Sequence, residues 1–193
     1  MSKFELYFQL GLEHILDVNG YDHILFIISL CSIYLLRDWR RILVLVTAFT
    51  IGHSITLALA TLDVITIDTT LIEFLIPVTI VITAIANLFM QPGEAQGKLP
   101  VNYVFASFFG LIHGMGFSNY LKSLLGSSSS IIVELFAFNI GIEIGQLVIV
   151  LTFLVATFLF VTLLGVTRRD WNLIISSAIA GIALTMILES EYL

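Results

Sequence analysis

Residues 14–36 read HILDVNGYDHILFIISLCSIYLL and place ionisable groups directly before the first long apolar run. His14 and the pair Asp22 and His23 precede the uncharged segment Ile24–Leu36. An ionisable side chain at bilayer depth costs ~2.5–3.5 kcal/mol on insertion scales, so such groups usually face a cavity, a partner or a substrate path. A functional role is therefore the first hypothesis for this stretch, and we expect the rest of the chain to pack around it.

The composition indicates an integral membrane protein. Of the 193 residues, 59% are hydrophobic and 11% are charged, and the mean hydropathy is +1.06. The formal net charge of −6 comes without a basic patch, so nothing indicates a nucleic-acid partner. The single cysteine, Cys31, excludes an intramolecular disulfide and a cysteine metal cluster. The N-terminal sequence lacks the pattern of a removable signal peptide.

The apolar pattern predicts an all-α fold, a polytopic membrane helix bundle that forms one domain over residues 1–193. A short interfacial helix is expected within residues 1–20, where Asn19-Gly20 is a turn signal that ends it. The fifth apolar region, Ile131–Val166, has 36 residues, although ~20 suffice to cross a bilayer. Gly141 and Gly145 in it mark either a break or a close-packing face. The predicted spans are about 22–36, 42–62, 71–90, 101–121, 131–166 and 171–188.

The basic residues predict the orientation of these six spans. Lys and Arg are concentrated in cytoplasmic loops of membrane proteins. Six of the eight basic residues fall in alternate loops, whereas Lys3 and Lys122 lie on the other side. This distribution predicts an inner-membrane protein with both termini on the non-cytoplasmic side. The six residues are Arg37, Arg40, Arg41, Lys98, Arg168 and Arg169.

Three histidines reach one level of this bundle. With a helical rise of ~1.5 Å per residue, each lies ~18–20 Å above the cytoplasmic face, in the outer half of a core ~30 Å thick. We expect the three rings to meet there, with Asp22 and His14 over them. The separations are 13 residues for His23 and Leu36, 12 for His53 and Arg41, and 13 for His113 and Pro100.

Each of these residues also has a purely structural explanation. A single intramembrane histidine often only bridges helices, and Asp22 suits the N-terminus of the first span. Glu134 can be an exposed acid in the first turn of the fifth span, and Glu143 and Gln146 can bridge helices. The shared level of the three histidines favours one common site over these separate explanations.

Several imidazoles with one or two carboxylates are typical of a site for a borderline divalent transition-metal ion, whether nickel, zinc, cobalt or copper. Asp22, Glu143 and Asn139 then serve as direct ligands or as partners that fix the histidine tautomers. We expect Ser54, Glu134 and Gln146 among the supporting partners. The sequence has no tight HxxxH or HExxH pair and does not identify the metal.

Ordered sequence blocks between about Gly11 and Leu147 resemble the HupE/UreJ family of hydrogenase and urease accessory permeases. The first contains His14, Gly20 and His23 and ends in DHILF (22–26). It is similar to the H…GxDH segment of that family. The others look like signatures of its second branch. They are TAFTIGHSITLALA (47–60), LIEFLIPVTIVITAIANLF (71–89), FGLIHGMGF (109–117) and FNIGIEIGQL (138–147).

This resemblance implies a polytopic inner-membrane protein that moves nickel, or a related divalent metal, toward metalloenzyme maturation. Its implied partners are the metal ion, membrane lipid and metalloenzyme maturation proteins. The ligand positions carried over by the resemblance are His14, Asp22, His23, His53, His113 and Glu143.

Other functions fit the same residues. An intramembrane hydrolase would hold zinc through the histidines and activate a water on the open coordination position, with Ser54 or Asp22 as the catalytic candidate. A metal-binding scaffold or sensor would only hold the ion. A permease needs polar groups that continue inward from the site, and for these the sequence offers little beyond Asn87, Thr47, Thr50 and Ser107.

Overall fold

The structure is a computed structural model that describes residues 2–66, 68–90, 99–125 and 131–192, and over these ranges its regular structure is helical. A 3-10 turn, Leu36–Asp38, precedes the third helix, and a π-helix, Phe158–Leu163, extends the seventh. Most of the predicted loop Gln91–Pro100, including Lys98, and the predicted loop Gly126–Ser130 lie outside the described residues. The α-helices are α1 (Lys3–Leu16), α2 (Asp22–Cys31), α3 (Trp39–Thr61), α4 (Thr69–Leu88), α5 (Leu99–Gly116), α6 (Ser118–Leu125), α7 (Ile132–Thr157) and α8 (Arg168–Leu188).

Four helical segments among the described residues are long and apolar enough to cross a membrane. They correspond to the second, third, fifth and sixth predicted spans. The described residues therefore agree with the predicted all-helical membrane bundle, and the number of six spans stays a prediction. The segments are Leu36–Thr61, Thr69–Leu88, Ile132–Leu163 and Arg168–Leu188.

The predicted first span, 22–36, differs most from the structure. Helix α2 has 10 residues, which at ~1.5 Å per residue gives about 15 Å, roughly half of a bilayer core. The helix ends where a side chain from α4 binds one of its last carbonyl groups and the hydroxyl group of the residue that follows the helix. Asn87 Nδ2 donates to the carbonyl oxygen of Ser29 at 2.7 Å and to Ser32 Oγ at 3.0 Å. The apolar run in the sequence continues through this end and gives no sign of it.

Helix α1 packs lengthwise on α7 and buries Tyr7, Gly11 and Ile15. The residue numbers of the contact pairs rise together, so α1 and α7 run parallel. Gly141 and Gly145 form a close-packing face on α7. Helix α7 continues through both glycines without a break. Of the two alternatives given by the sequence, a break or a close-packing face, the structure has the close-packing face. The contact pairs are Lys3 with Glu134, Gly11 with Phe138 and Ile15 with Gly145.

Glycines also bring α3 and α5 into backbone contact. A Cβ atom added at Gly52 would collide with the carbonyl oxygen of Ser107, and one at Gly114 would collide with that of His53. Small residues at such positions are the usual means by which membrane helices approach closely. This approach sets His53 of α3 beside His113 of α5.

We expect Gly52→Ala to lower the melting temperature of the detergent-purified protein, because the added methyl group forces α3 and α5 apart. Overpacking of this kind costs about 1–3 kcal/mol. Gly181→Ala is the matched control, because no atom of the described residues outside its own stretch of helix lies within 4 Å of a Cβ added there. Thermal unfolding measures both variants, and a melting temperature of Gly52→Ala equal to that of the wild type would contradict the backbone contact.

Candidate metal centre

All four histidines of the chain converge from four different helices. His14 comes from the end of α1, His23 from the first turn of α2, His53 from α3 and His113 from the end of α5. His53 and His113 are 0% exposed, and His23 is 3% exposed. The ring centroids are 4.7 Å apart for His14 and His23, 5.1 Å for His23 and His113, 5.8 Å for His23 and His53, and 5.9 Å for His14 and His53.

Two overlapping groups of possible ligands share His23. One ligand atom each from His14, His23 and His53 lie within 4.8 Å of one another, and the same holds for Asp22, His23 and His113. Nitrogens bound to one tetrahedral ion lie about 3.3 Å apart, because each metal–nitrogen bond is about 2.0–2.1 Å. Ligand atoms within 4.8 Å of one another are therefore close enough to serve one ion or two neighbouring ions.

A carboxylate fixes the tautomer of His23. Nδ1 of His23 lies 3.1 Å from Asp22 Oδ1. An ionised carboxylate only accepts hydrogen bonds, so the proton is on Nδ1 and the lone pair is on Nε2. Nε2 is buried without a hydrogen-bond partner. Asp22 thus has the position of the carboxylate that orients a metal-binding histidine in known metal sites.

A hydroxyl group fixes the tautomer of His113. Thr79 Oγ1 donates its only proton to the carbonyl oxygen of Ile76 at 2.7 Å, so it accepts a hydrogen bond from His113 Nε2 at 3.0 Å. The lone pair of His113 is therefore on Nδ1, which is buried without a partner. Thr79 was not predicted as a site residue. In the sequence, the only indication of such a role is its hydroxyl group inside the apolar helix α4.

Five imidazole nitrogens of the centre are buried without a partner among the described residues. Burying a polar atom without a hydrogen bond costs roughly 1–3 kcal/mol by mutational measures. A packed core would not accumulate this cost in one place, whereas a cation bound by the lone pairs, one on each neutral ring, would offset most of it. The five atoms are His14 Nε2, His23 Nε2, His53 Nδ1, His53 Nε2 and His113 Nδ1.

A layer of three aromatic rings closes one side of the centre. Phe26, Phe49 and Phe109 each lie about one helical turn from His23, His53 and His113 respectively, toward the end of the bundle where α3 and α5 begin. The centroids of Phe26 and Phe49 are 5.0 Å apart, and those of Phe26 and Phe109 are 5.9 Å apart. This phenylalanine layer keeps water and charge away from that side of the imidazoles.

Two predicted site residues lie on the contact between α3 and α7. Glu143 Oε1 accepts a hydrogen bond from Thr47 Oγ1 at 2.7 Å. Gln146 Oε1 accepts one from Thr50 Oγ1 at 2.8 Å. Glu143 belongs to neither ligand group found among the described residues. In the structure both side chains bridge helices, which is the structural explanation given above for them.

The other predicted supporting residues also have partners or positions of their own. Glu134 forms an ion pair with Lys3 at 3.6 Å. Ser54 Oγ donates to the backbone carbonyl of Thr50 at 2.6 Å. Asn139 Oδ1 is buried without a partner. Of the residues singled out from the sequence, the structure thus brings together His14, Asp22, His23, His53 and His113.

The fold and the centre define a class: a helical membrane protein with a buried cluster of imidazoles. The chain belongs to the HupE/UreJ family, because the family model described as HupE / UreJ protein matches residues 1–190. This match confirms the family that the sequence blocks resemble. A comparison with curated proteins and with solved structures found no match.

We expect Thr79→Val to weaken metal binding about 10–100-fold, the usual effect of removing the partner that orients a metal-binding histidine. Thr83→Val is the matched control on the same helix, because Thr83 Oγ1 bonds only the carbonyl oxygen of Thr79, at 2.8 Å. Isothermal titration of the detergent-purified variants with Ni²⁺ or Zn²⁺ measures the effect. Equal affinities for the two variants would show that the Thr79 hydroxyl does not orient a ligand.

Proposed function

We propose that this protein binds a divalent transition-metal ion, nickel or a related metal, and carries it across the inner membrane. The observation that supports this most is the set of five unpaired imidazole nitrogens, supplied by four helices in the interior of the bundle. HupE/UreJ proteins are associated with the transport of nickel and other metals. Neutral imidazole is a suitable ligand for nickel, zinc and copper.

The proposed topology has six crossings with both termini outside the cytoplasm. Helix α1, which the sequence predicted as a short interfacial helix, packs along α7 in the structure and shares the first crossing with α2 in this proposal. At about 15 Å, α2 is too short to cross alone. Helix α2 runs parallel to α4. Its start is at the level of Thr79 in α4, because His23 lies beside His113, which bonds Thr79. Its end is at the level of Asn87 in α4, which bonds Ser29. The break between α1 and α2 then falls between His14 and Asp22. Discontinuous helices hold the ion near the midplane in many transporters.

The inward route supports transport over permanent storage of the ion. Beyond the phenylalanine layer lies a cavity of about 310 Å³, bounded on one side by Phe109. Its lining is mostly apolar and includes four polar residues, Tyr34, Thr83, Asn87 and Asn102. One layer of three rings thus separates the centre from a space toward the cytoplasmic side of the proposed topology. We infer that the layer opens when the ion moves inward.

The alternative of an intramembrane hydrolase has less support. Ser54, one of its two catalytic candidates, donates its hydroxyl proton to the carbonyl of Thr50. Asp22, the other candidate, is engaged with His23 Nδ1. A hydrolase needs a side chain beside the metal that is free to act with the zinc-activated water, and both candidates are hydrogen-bonded elsewhere. The carboxylate and the imidazoles fit the binding of a cation better than the cleavage of a bond.

Metal uptake by proteoliposomes tests this function. We expect wild-type protein to take up Ni²⁺, Zn²⁺ or Co²⁺ above the level of empty liposomes, and His53→Ala to fall to that level because one of the ligands is lost. Thr61→Val is the matched control on α3, because it changes a buried hydroxyl without a partner and preserves the side-chain volume. This variant should retain uptake.

Two results would contradict the proposal in different ways. Tight, stoichiometric metal binding without uptake of any of the three ions would reject transport and favour a metal-dependent enzyme or a scaffold. The absence of metal binding by wild-type protein would reject the metal centre itself.

A further inference from the structure

A second cavity, of about 590 Å³, lies beside the metal centre on the side away from the phenylalanine layer. It is lined at the end of α1 by Glu13, His14 and Asp17. It is also lined by Phe117, which directly precedes α6, and by Tyr120 in the first turn of α6. Phe117 lies just beyond the end of α5, after His113, whereas Phe109 of the phenylalanine layer precedes His113 in α5. The proposed topology places this outer cavity toward the non-cytoplasmic side.

His14 forms a common wall of the outer cavity and the metal centre. It lines the cavity, and its ring lies 4.7 Å from that of His23. Its Nε2 atom is buried and has no hydrogen-bond partner. The ring of Phe117 covers it, with centroids 4.0 Å apart. A cation in the outer cavity would therefore meet His14 before the other ligands of the centre.

Two carboxylates stand in this cavity without a basic partner among the described residues. Glu13 and Asp17 are one helical turn apart and exposed. Glu13 accepts a hydrogen bond from Gln9 Nε2 at 2.7 Å, and Asp17 accepts one from the backbone N–H of Asn19 at 2.9 Å. These neutral donors leave both negative charges uncompensated, next to a histidine with a free lone pair.

We propose that the outer cavity is the entrance for the metal ion, where Glu13 and Asp17 attract a hydrated divalent cation and deliver it to His14. This inference rests on the proposed function. Carboxylates bind a hydrated ion through oxygen, and imidazoles then replace its water molecules in the apolar centre. Clefts lined by charge of one sign raise the local concentration of counter-ions and their association rates by ~10–10³-fold.

The test is the association rate of Co²⁺ with detergent-purified protein, followed by stopped-flow absorption of the coordinated ion. We expect the double variant Glu13→Gln, Asp17→Asn to bind about 10-fold more slowly, at the lower end of the range for charged clefts. The dissociation rate should stay unchanged, because the imidazoles hold the bound ion. Each single variant should lie between the double variant and the wild type.

Glu5→Gln is the matched control. Glu5 is also exposed on α1 and carries the same charge, but it does not line the outer cavity. A glutamine preserves its hydrogen-bonding role in the capping box with Ser2. The association rate of this variant should equal that of the wild type.

Ionic strength and uptake give two further readouts. The difference between wild type and double variant should shrink between 0.01 M and 0.15 M salt, because the Debye length falls from about 30 to about 8 Å. In proteoliposomes the double variant should raise the KM for uptake about 10-fold and keep the maximal rate, as expected when only capture is slowed.

A wild-type association rate in the double variant, or an equal slowing in Glu5→Gln, would overturn the entrance. A faster dissociation or a loss of Co²⁺ stoichiometry would also overturn it, since the carboxylates would then belong to the centre itself. Failure of the wild type to transport any metal would reject the proposed function and leave the association-rate test of the entrance in place.

Discussion

The structure depends on the placement of imidazole nitrogens without partners inside an apolar bundle. Two of the four rings have fixed tautomers, because Asp22 and Thr79 each bind one nitrogen and leave the other free. Each free nitrogen carries a desolvation cost of roughly 1–3 kcal/mol that the surrounding phenylalanines cannot offset. A bound cation can offset this cost, so a metal ion accounts for the presence of free imidazole nitrogens in apolar surroundings.

Close backbone packing makes this placement possible. Gly52 and Gly114 bring α3 and α5 together, and Gly141 and Gly145 let α1 lie along α7. The end of α1 and the start of α2 then supply ligands from the two sides of a helix break. A continuous helix would place His14 and His23 about 13.5 Å apart along its axis, whereas their rings are in contact at 4.7 Å.

The depth of a residue in the bundle could be predicted from the sequence, because it depends on position along a helix. The side of the helix that faces a given neighbour could not be predicted in this way. Depth is proportional to residue number, so His23, His53 and His113 could be placed at one level. Glu143 has a suitable position in the chain but faces Thr47 of α3, a direction that only the packing of α7 decides. The early end of α2 arises from Asn87, a residue of α4 distant in the sequence, and apolar periodicity contains no information about it.

X-ray absorption spectroscopy of the metal-loaded protein tests whether the imidazoles bind the ion, because it reports the ligands of the ion. We expect a shell dominated by nitrogen at about 2.0–2.1 Å for Zn²⁺, with the outer-shell scattering of several imidazoles, and the loss of an imidazole contribution in His53→Ala. A shell of oxygen ligands alone, or a spectrum that His53→Ala leaves unchanged, would contradict it.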